Sequence, residues 1–162
     1  MNRSVILNVA AALVAIAVVV GAILALTTAL SYQPDDFLYD KDAKPGPVPN
    51  TTTIDVVTDY NRIAYKINPA PVATSKGAPL SIMMENPASN VHDLRLELYD
   101  EEMGLIYTSG LVKPDYHIMQ IELLKLLPAG KRNVTARFVA VDIFTHENIG
   151  YLEQKIIIDV KA

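Results

Sequence analysis

Beyond residue 62 the chain alternates polar and apolar positions in short runs, the pattern typical of half-buried β-strands. Clusters of Pro, Gly, Asn and Asp separate these runs, as turns separate strands. Seven short strands with no helical period between them favour an all-β, seven-stranded immunoglobulin-like sandwich over residues 62–162. The predicted strands are Ile63–Asn68, Leu80–Asn86, Asp93–Tyr99, Leu105–Ser109, Ile118–Lys125, Asn133–Ile143 and Ile149–Val160.

Two runs indicate which side chains face the core. In "LRLELYD" one face carries Leu94, Leu96 and Leu98, and the other carries two charged side chains and Tyr99. The run "NVTARFVAV" follows the turn "LPAGK", and both of its faces become apolar toward its end, which suits a central strand. One face of that run consists of Val134, Ala136, Phe138 and Ala140.

The first thirty residues have a different pattern. Val9–Leu26 is a run of eighteen apolar residues without a charge, or about 27 Å of helix, long enough to cross a bilayer. We predict a transmembrane anchor over residues 5–30 after a cytoplasmic tip, residues 1–4. Arg3 precedes the span and only acidic residues follow closely, so the N-terminus is expected in the cytoplasm and the rest outside. A cleaved signal peptide is the alternative, with a weak cleavage motif at residues 27–29.

Residues 31–61 have the composition of a linker. Prolines at positions 34, 45, 47 and 49 lie among Asp, Lys and Gly, and prolines extend a chain while removing backbone donors. We therefore predict a Pro/Asp-rich linker between the anchor and the sandwich. The alternative is that Thr51–Thr58 adds an edge strand.

Charge and composition exclude several functions. All eighteen acidic residues follow the span, against thirteen of the fourteen basic ones, so this part carries five excess negative charges. Such a domain is a poor ligand for nucleic acid or an anionic membrane surface. The chain has no cysteine, which excludes cysteine nucleophiles and disulfides, and no common catalytic motif. We expect no enzyme activity and no cofactor.

The three histidines are the one candidate metal site. His92, His117 and His146 precede the third strand, precede the fifth strand and follow the sixth. In an immunoglobulin-like topology these loops cluster at one end, where three imidazoles could hold zinc with a fourth position open. The simpler interpretation is three unrelated loop histidines. The acidic run Asp100–Glu102 lacks the spacing of a calcium loop and is interpreted as a solvated hairpin turn.

Exposed tyrosines and the last strand are the candidate contact surfaces. Tyrosine rings near strand ends can anchor protein or sugar contacts, and an apolar edge strand can pair with another chain. The alternatives are rings that cap the sandwich and isoleucines buried inside it. The residues concerned are Tyr107, Tyr116, Tyr151, Ile156 and Ile158.

The segments "INPAPV", "ENPASN", "HDLRLELYDEEMGLIYTSGLVKPDYHI" and "LPAGKRNVTARFVAVD" resemble small membrane-anchored proteins of Gram-positive Firmicutes that carry one exported immunoglobulin-like domain. The resemblance spans residues 62–160 and implies fold and location, but no active site. That pattern places a tyrosine after "LPAG", where a tyrosine corner would form. Here residues 131–133 are Lys, Arg and Asn, so another contact must hold this loop.

Two functions follow as hypotheses. The first is a non-catalytic module, held by the lipid bilayer through residues 5–30, that binds another envelope or surface protein. The second is a structural or accessory subunit of a pilus, secretion or conjugation apparatus, because the span is rich in small residues that permit close helix packing. A zinc-binding domain ranks below both.

Overall fold

A computed structural model describes residues 38–49, 56–57, 63–75 and 77–162 of the chain. The described residues form strands, turns and loops, and none of them belongs to a helix long and apolar enough to cross a membrane. The anchor predicted over residues 5–30 lies outside these ranges.

The larger sheet has five strands in the order β4–β10–β9–β6–β7. All neighbours are antiparallel except β4 and β10, which run parallel. β9 is the middle strand, as its two apolar faces predicted. The strands are β4 (Val72–Thr74), β6 (Asp93–Asp100), β7 (Gly104–Thr108), β9 (Gly130–Val141) and β10 (Asn148–Lys161).

Two smaller sheets complete the described part. Three short antiparallel strands follow the order β1–β8–β5, and a separate antiparallel pair joins β2 to β3. These strands are β1 (Lys44–Pro45), β2 (Val56–Val57), β3 (Ala64–Tyr65), β5 (Met84–Asn86) and β8 (Tyr116–Ile118).

One apolar core joins the sheets. The inward faces predicted for the third and sixth strands are confirmed, because both sets of side chains are fully buried. Met84 and Ile118 of the three-stranded sheet belong to the same cluster. The rings of Tyr65 and Phe138 stack with centroids 3.8 Å apart, so β3 packs directly on the central strand. The described part is therefore all-β, with an arrangement consistent with a β-sandwich.

The strand predicted over Ile118–Lys125 is largely wrong, since β8 ends where that prediction begins. Conversely, β4 is not among the predicted strands, because the prolines before it indicate a turn. Proline lacks only the backbone donor, and its carbonyl can still accept. Ile157 N–H donates to the Pro69 carbonyl (3.2 Å), and Asp159 N–H donates to the Pro71 carbonyl (3.1 Å).

Residues 38–49, which fall within the predicted linker, pack onto the sheets. β1 pairs with β8, and the buried Val48 donates its N–H to the buried carboxylate of Glu85 at 2.8 Å. Residues 38–49 therefore belong to the same compact unit as the strands, although they precede the domain boundary predicted at residue 62. The linker prediction is thereby corrected for residues 38–49.

The rest of the predicted linker is described only at β2. This strand lies inside Thr51–Thr58, the range for which an added strand was the alternative interpretation, and it pairs with β3. The remaining residues of that range lie outside the described part of the chain.

The motif "ENPASN" is a buried polar network as well as a turn. The Asn86 side-chain amide donates to the carbonyls of His92 and Val112, at 2.9 and 2.7 Å. Asn90 exchanges two hydrogen bonds with the backbone of Ala64 and donates to the Asn86 side chain. These bonds satisfy buried amides and join β3, β5 and the start of β6.

Candidate functional site

The three histidines do not form the predicted zinc site. His117 is buried, and its Nδ1 lies 2.7 Å from the Gly46 carbonyl oxygen. This ring therefore holds the segment of residues 38–49. His146 lies in the turn between β9 and β10, and His92 lies just before β6. Among the described residues, which include all three, no three His, Asp or Glu side chains are grouped closely enough to hold a metal ion.

Of the five predicted contact residues, only Tyr151 is well exposed. Tyr107 is buried, and burial, reinforced by the nearby Asp40 carboxylate, raises the pKa of its hydroxyl far above the usual value. Tyr116 is half-buried on β8. Ile156 and Ile158 belong to the core, so burial, the alternative interpretation, is correct for both.

The acidic hairpin turn lies between β6 and β7 as predicted, but its first residue is not solvated. Asp100 is buried, and its carboxylate accepts the N–H groups of Glu102 and Met103 at 2.9 Å each. Arg132 contacts both oxygens of that carboxylate, at 2.6 and 2.9 Å, and also reaches Glu102. Arg132 thus joins the start of β9 to the turn between β6 and β7.

The outer face of the five-stranded sheet carries a row of paired charges. The strand register places Glu97, Arg137 and Glu153 side by side on β6, β9 and β10. The Arg137 guanidinium lies 2.8 Å from the Glu153 carboxylate and 3.7 Å from that of Glu97. Arg95 pairs with Glu97 at 3.2 Å. The row is electrically balanced, so it orients side chains rather than attracting one sign of charge.

Two tyrosine rings flank the guanidinium of Arg137. Its central carbon lies 4.8 Å from the centroid of Tyr99 and 4.9 Å from that of Tyr151, both within cation–π range. The Tyr99 hydroxyl donates to Glu97 at 2.8 Å, which is the main reason why its pKa is raised. We call Tyr99, Arg137 and Tyr151 the Tyr–Arg–Tyr cluster. Of its members, Tyr151 is largely exposed, whereas Tyr99 and Arg137 are half-buried.

A shallow, open groove of about 420 Å³ lies beside the Tyr–Arg–Tyr cluster. Its walls combine aliphatic, aromatic and charged groups from β6, β9 and β10. Such a mixture provides both apolar contact area and hydrogen-bonding groups. The lining residues include Arg95, Val139, Asn148, Ile149 and Tyr151.

β10 has an edge that β4 covers only in part. β4 pairs with residues 159–161, and the N–H groups of Ile157 and Asp159 point toward that side. Because hydrogen-bonding direction alternates along a strand, the N–H groups of Tyr151, Glu153 and Lys155 point to the same edge. No other described strand pairs with β10 there, so this stretch presents donors and acceptors beside the groove.

Sequence reasoning found Tyr151 but missed Tyr99 and Arg137 as site residues. Their alternation had placed both on outward faces, which is confirmed. That alternation says nothing about which residues of neighbouring strands lie side by side, and the register alone brings the two rings to opposite sides of one guanidinium.

Comparison with protein-family models, with curated proteins and with solved structures found nothing that matches this chain.

Proposed function

We propose that this chain is a non-catalytic module of the bacterial cell envelope that binds another protein. In this proposal residues 5–30 cross the cell membrane, the N-terminus is cytoplasmic, and the β domain lies outside. The partner binds the Tyr–Arg–Tyr cluster and the adjacent edge of β10.

The observation that carries the proposal is the Tyr–Arg–Tyr cluster, with its exposed Tyr151 ring, next to a stretch of β10 with which no other described strand pairs. Tyrosine and arginine dominate the residues that supply binding energy at protein interfaces. An open edge offers main-chain groups to an extended segment, and a neighbouring groove can select its side chains. Tyr151 belongs to both features, since its ring flanks Arg137 and its N–H faces the edge.

An immunoglobulin-like fold is part of the proposal. The neighbours β6, β9 and β10 correspond in order to strands C, F and G of that fold, and β5 and β8 correspond to the paired strands B and E. This assignment places the Tyr–Arg–Tyr cluster on the outer face of the C–F–G sheet.

The test is crosslinking of the full-length protein in its native membrane, followed by affinity purification. Tyr151→Ser removes an exposed ring without opening the core. We expect the recovery of crosslinked partners to fall about tenfold or more, as for a binding hot spot. Leu126→Ser is the matched control, because Leu126 is equally exposed but lies outside the cluster, and it should leave recovery unchanged.

Lys155→Pro tests the strand edge separately. Proline removes an N–H that points away from β9, so the β9–β10 ladder keeps its bonds while the edge loses a donor. Lys155→Ala is the control for the side chain. If neither Tyr151→Ser nor Lys155→Pro lowers recovery relative to the controls, this surface is not the binding site.

A further inference from the structure

One end of the domain carries a group of exposed apolar side chains. It is the end where β9 finishes, the chain turns through residues 142–147 into β10, and β6 begins. We call this group the apolar tip: Leu38 (42% exposed), Val91 (68%), Ile143 (38%) and Phe144 (84%).

Hydrogen bonds within the turn fix the outward position of Phe144. The Asp142 carboxylate accepts the N–H groups of Phe144 and Thr145 at 2.9 and 2.8 Å, which also lowers its pKa. The N–H of Asp142 donates to the Glu147 carbonyl, and the N–H of His146 donates to the Asp142 carbonyl. The turn is therefore closed by its own bonds and holds a phenyl ring in solvent, at a cost in exposed apolar area.

The described chain begins at this same end. The Leu38 carbonyl accepts the N–H of Leu111 at 2.8 Å. The Tyr39 hydroxyl donates to Asp93 at 3.0 Å, and Asp93 lies opposite Val141, the last residue of β9. Leu38 and the turn that carries Phe144 thus lie at one end of the sheet.

Only residues 31–37 separate Leu38 from the predicted membrane span. Seven residues reach at most about 25 Å when fully extended. If residues 5–30 cross the bilayer, Leu38 therefore lies within about 25 Å of the end of the membrane span. Tethering at this range gives the domain a high local concentration at the membrane surface. A contact too weak to hold a free domain there can therefore persist.

We propose that the apolar tip lies in the interfacial region of the lipid bilayer that holds the anchor. This inference rests on the anchor in the proposed function. Phe144 and Ile143 enter the boundary between headgroups and acyl chains, where apolar side chains are favoured by burial. The contact is apolar rather than electrostatic, since the chain carries a net charge of −4 and Glu147 is exposed in the same turn.

The chain contains no tryptophan, so Phe144→Trp introduces a single tryptophan at the tip, whose emission can be excited selectively over that of the tyrosines. The experiment uses the full-length protein in vesicles of phosphatidylcholine and phosphatidylglycerol, with and without brominated acyl chains. We expect the emission of the tip variant to shift to shorter wavelength and to be quenched severalfold more strongly than that of the control. The control is Leu126→Trp, because Leu126 is also well exposed and lies shortly before β9 begins, at the opposite end of that strand.

Flotation of the vesicles separates the two proposals. Protein that floats and resists alkaline extraction, with the tip variant quenched no more than the control variant, would overturn the tip contact and leave the anchor intact. Protein that fails to float would overturn the anchor and the tip contact with it. A wavelength shift that appears only after envelope proteins are added would assign the tip to a protein partner and overturn the lipid assignment.

Discussion

The ion pair between the buried Asp100 and the half-buried Arg132 makes stability depend on acid pH in a way that one substitution can test. The folded state lowers the pKa of Asp100 from 3.8 to about 2, first through the hydrogen bonds from Arg132 and then through two backbone N–H groups. The native carboxylate therefore binds protons less readily than the unfolded one. The contribution of the Asp100 carboxylate to the free energy of unfolding is therefore complete above about pH 5 and is lost as the pH falls through about 2.

The magnitude follows from the shift. A difference of nearly two pKa units corresponds to about 2.4 kcal/mol at neutral pH. The Asp100 side chain is almost fully buried, but Arg132 reaches the surface, where solvent screens part of the attraction. We therefore expect Asp100→Asn to lower the free energy of unfolding by about 1–2 kcal/mol at pH 7. The amide oxygen of Asn can still accept the N–H bonds of the turn.

Urea unfolding followed by circular dichroism, from pH 7 down to pH 3, is the assay. The stability difference between wild type and Asp100→Asn should be constant above pH 5 and about half as large at pH 3. Lys155→Gln is the control. It removes the exposed ion pair (3.4 Å) that Lys155 forms with Glu101, a residue of the same turn as Asp100. It should change stability by less than about 0.5 kcal/mol at either pH.

An Asp100→Asn variant as stable as wild type at pH 7 would show that the carboxylate does not stabilise the fold through its charge. A difference that persists undiminished at pH 3 would show the same, since the loss would then come from packing or neutral hydrogen bonds rather than from charge.

Three further substitutions test the rest of the fold. Asn90→Ala removes the hydrogen-bond partner of the buried N–H and carbonyl groups of Ala64. It should lower the free energy of unfolding, measured with urea, by about 2–4 kcal/mol. A loss below about 1 kcal/mol would mean that water replaces the amide. Gly110→Ala places a methyl group 2.6 Å from the backbone nitrogen of Asp40, so residues 38–49 should become cleavable by protease while β9 stays protected; unchanged cleavage would show that the backbone adjusts. Leu96→Ala opens a cavity in the core and should cost about 2–5 kcal/mol, whereas the exposed Leu124→Ala should be nearly neutral in the same assay.

The alternation of polar and apolar residues predicted the inward faces of the strands in the five-stranded sheet, because alternation is a local property. Leu94, Leu96 and Leu98 face the core since a strand has a period of two, whatever lies across from it. The turn between β6 and β7 was equally visible, because Gly104 supplies the positive φ (71°) that ends it. The central position of β9 followed from its two apolar faces.

The candidate site was predicted only in part, because exposure depends on which strand lies opposite. Tyr107 is a candidate contact residue from the sequence, but a register shift between β6 and β7 sets it opposite Leu98, whose side chain points into the core. The grouping of Tyr99, Arg137 and Tyr151 likewise depends on the register of three strands. No one of these strands encodes that register in its own pattern.

The sequence by itself determined the strand class, the inward faces and the hairpin turns, because each depends on neighbours within a few residues. Only the tertiary structure decided that residues 38–49 join the domain, that Asn90 holds Ala64, and that Arg132 pairs with Asp100. Each of these contacts joins groups 26 or more positions apart. Composition indicates a linker or a turn at these positions. Whether they are buried depends on a contact with a segment that is distant in the sequence.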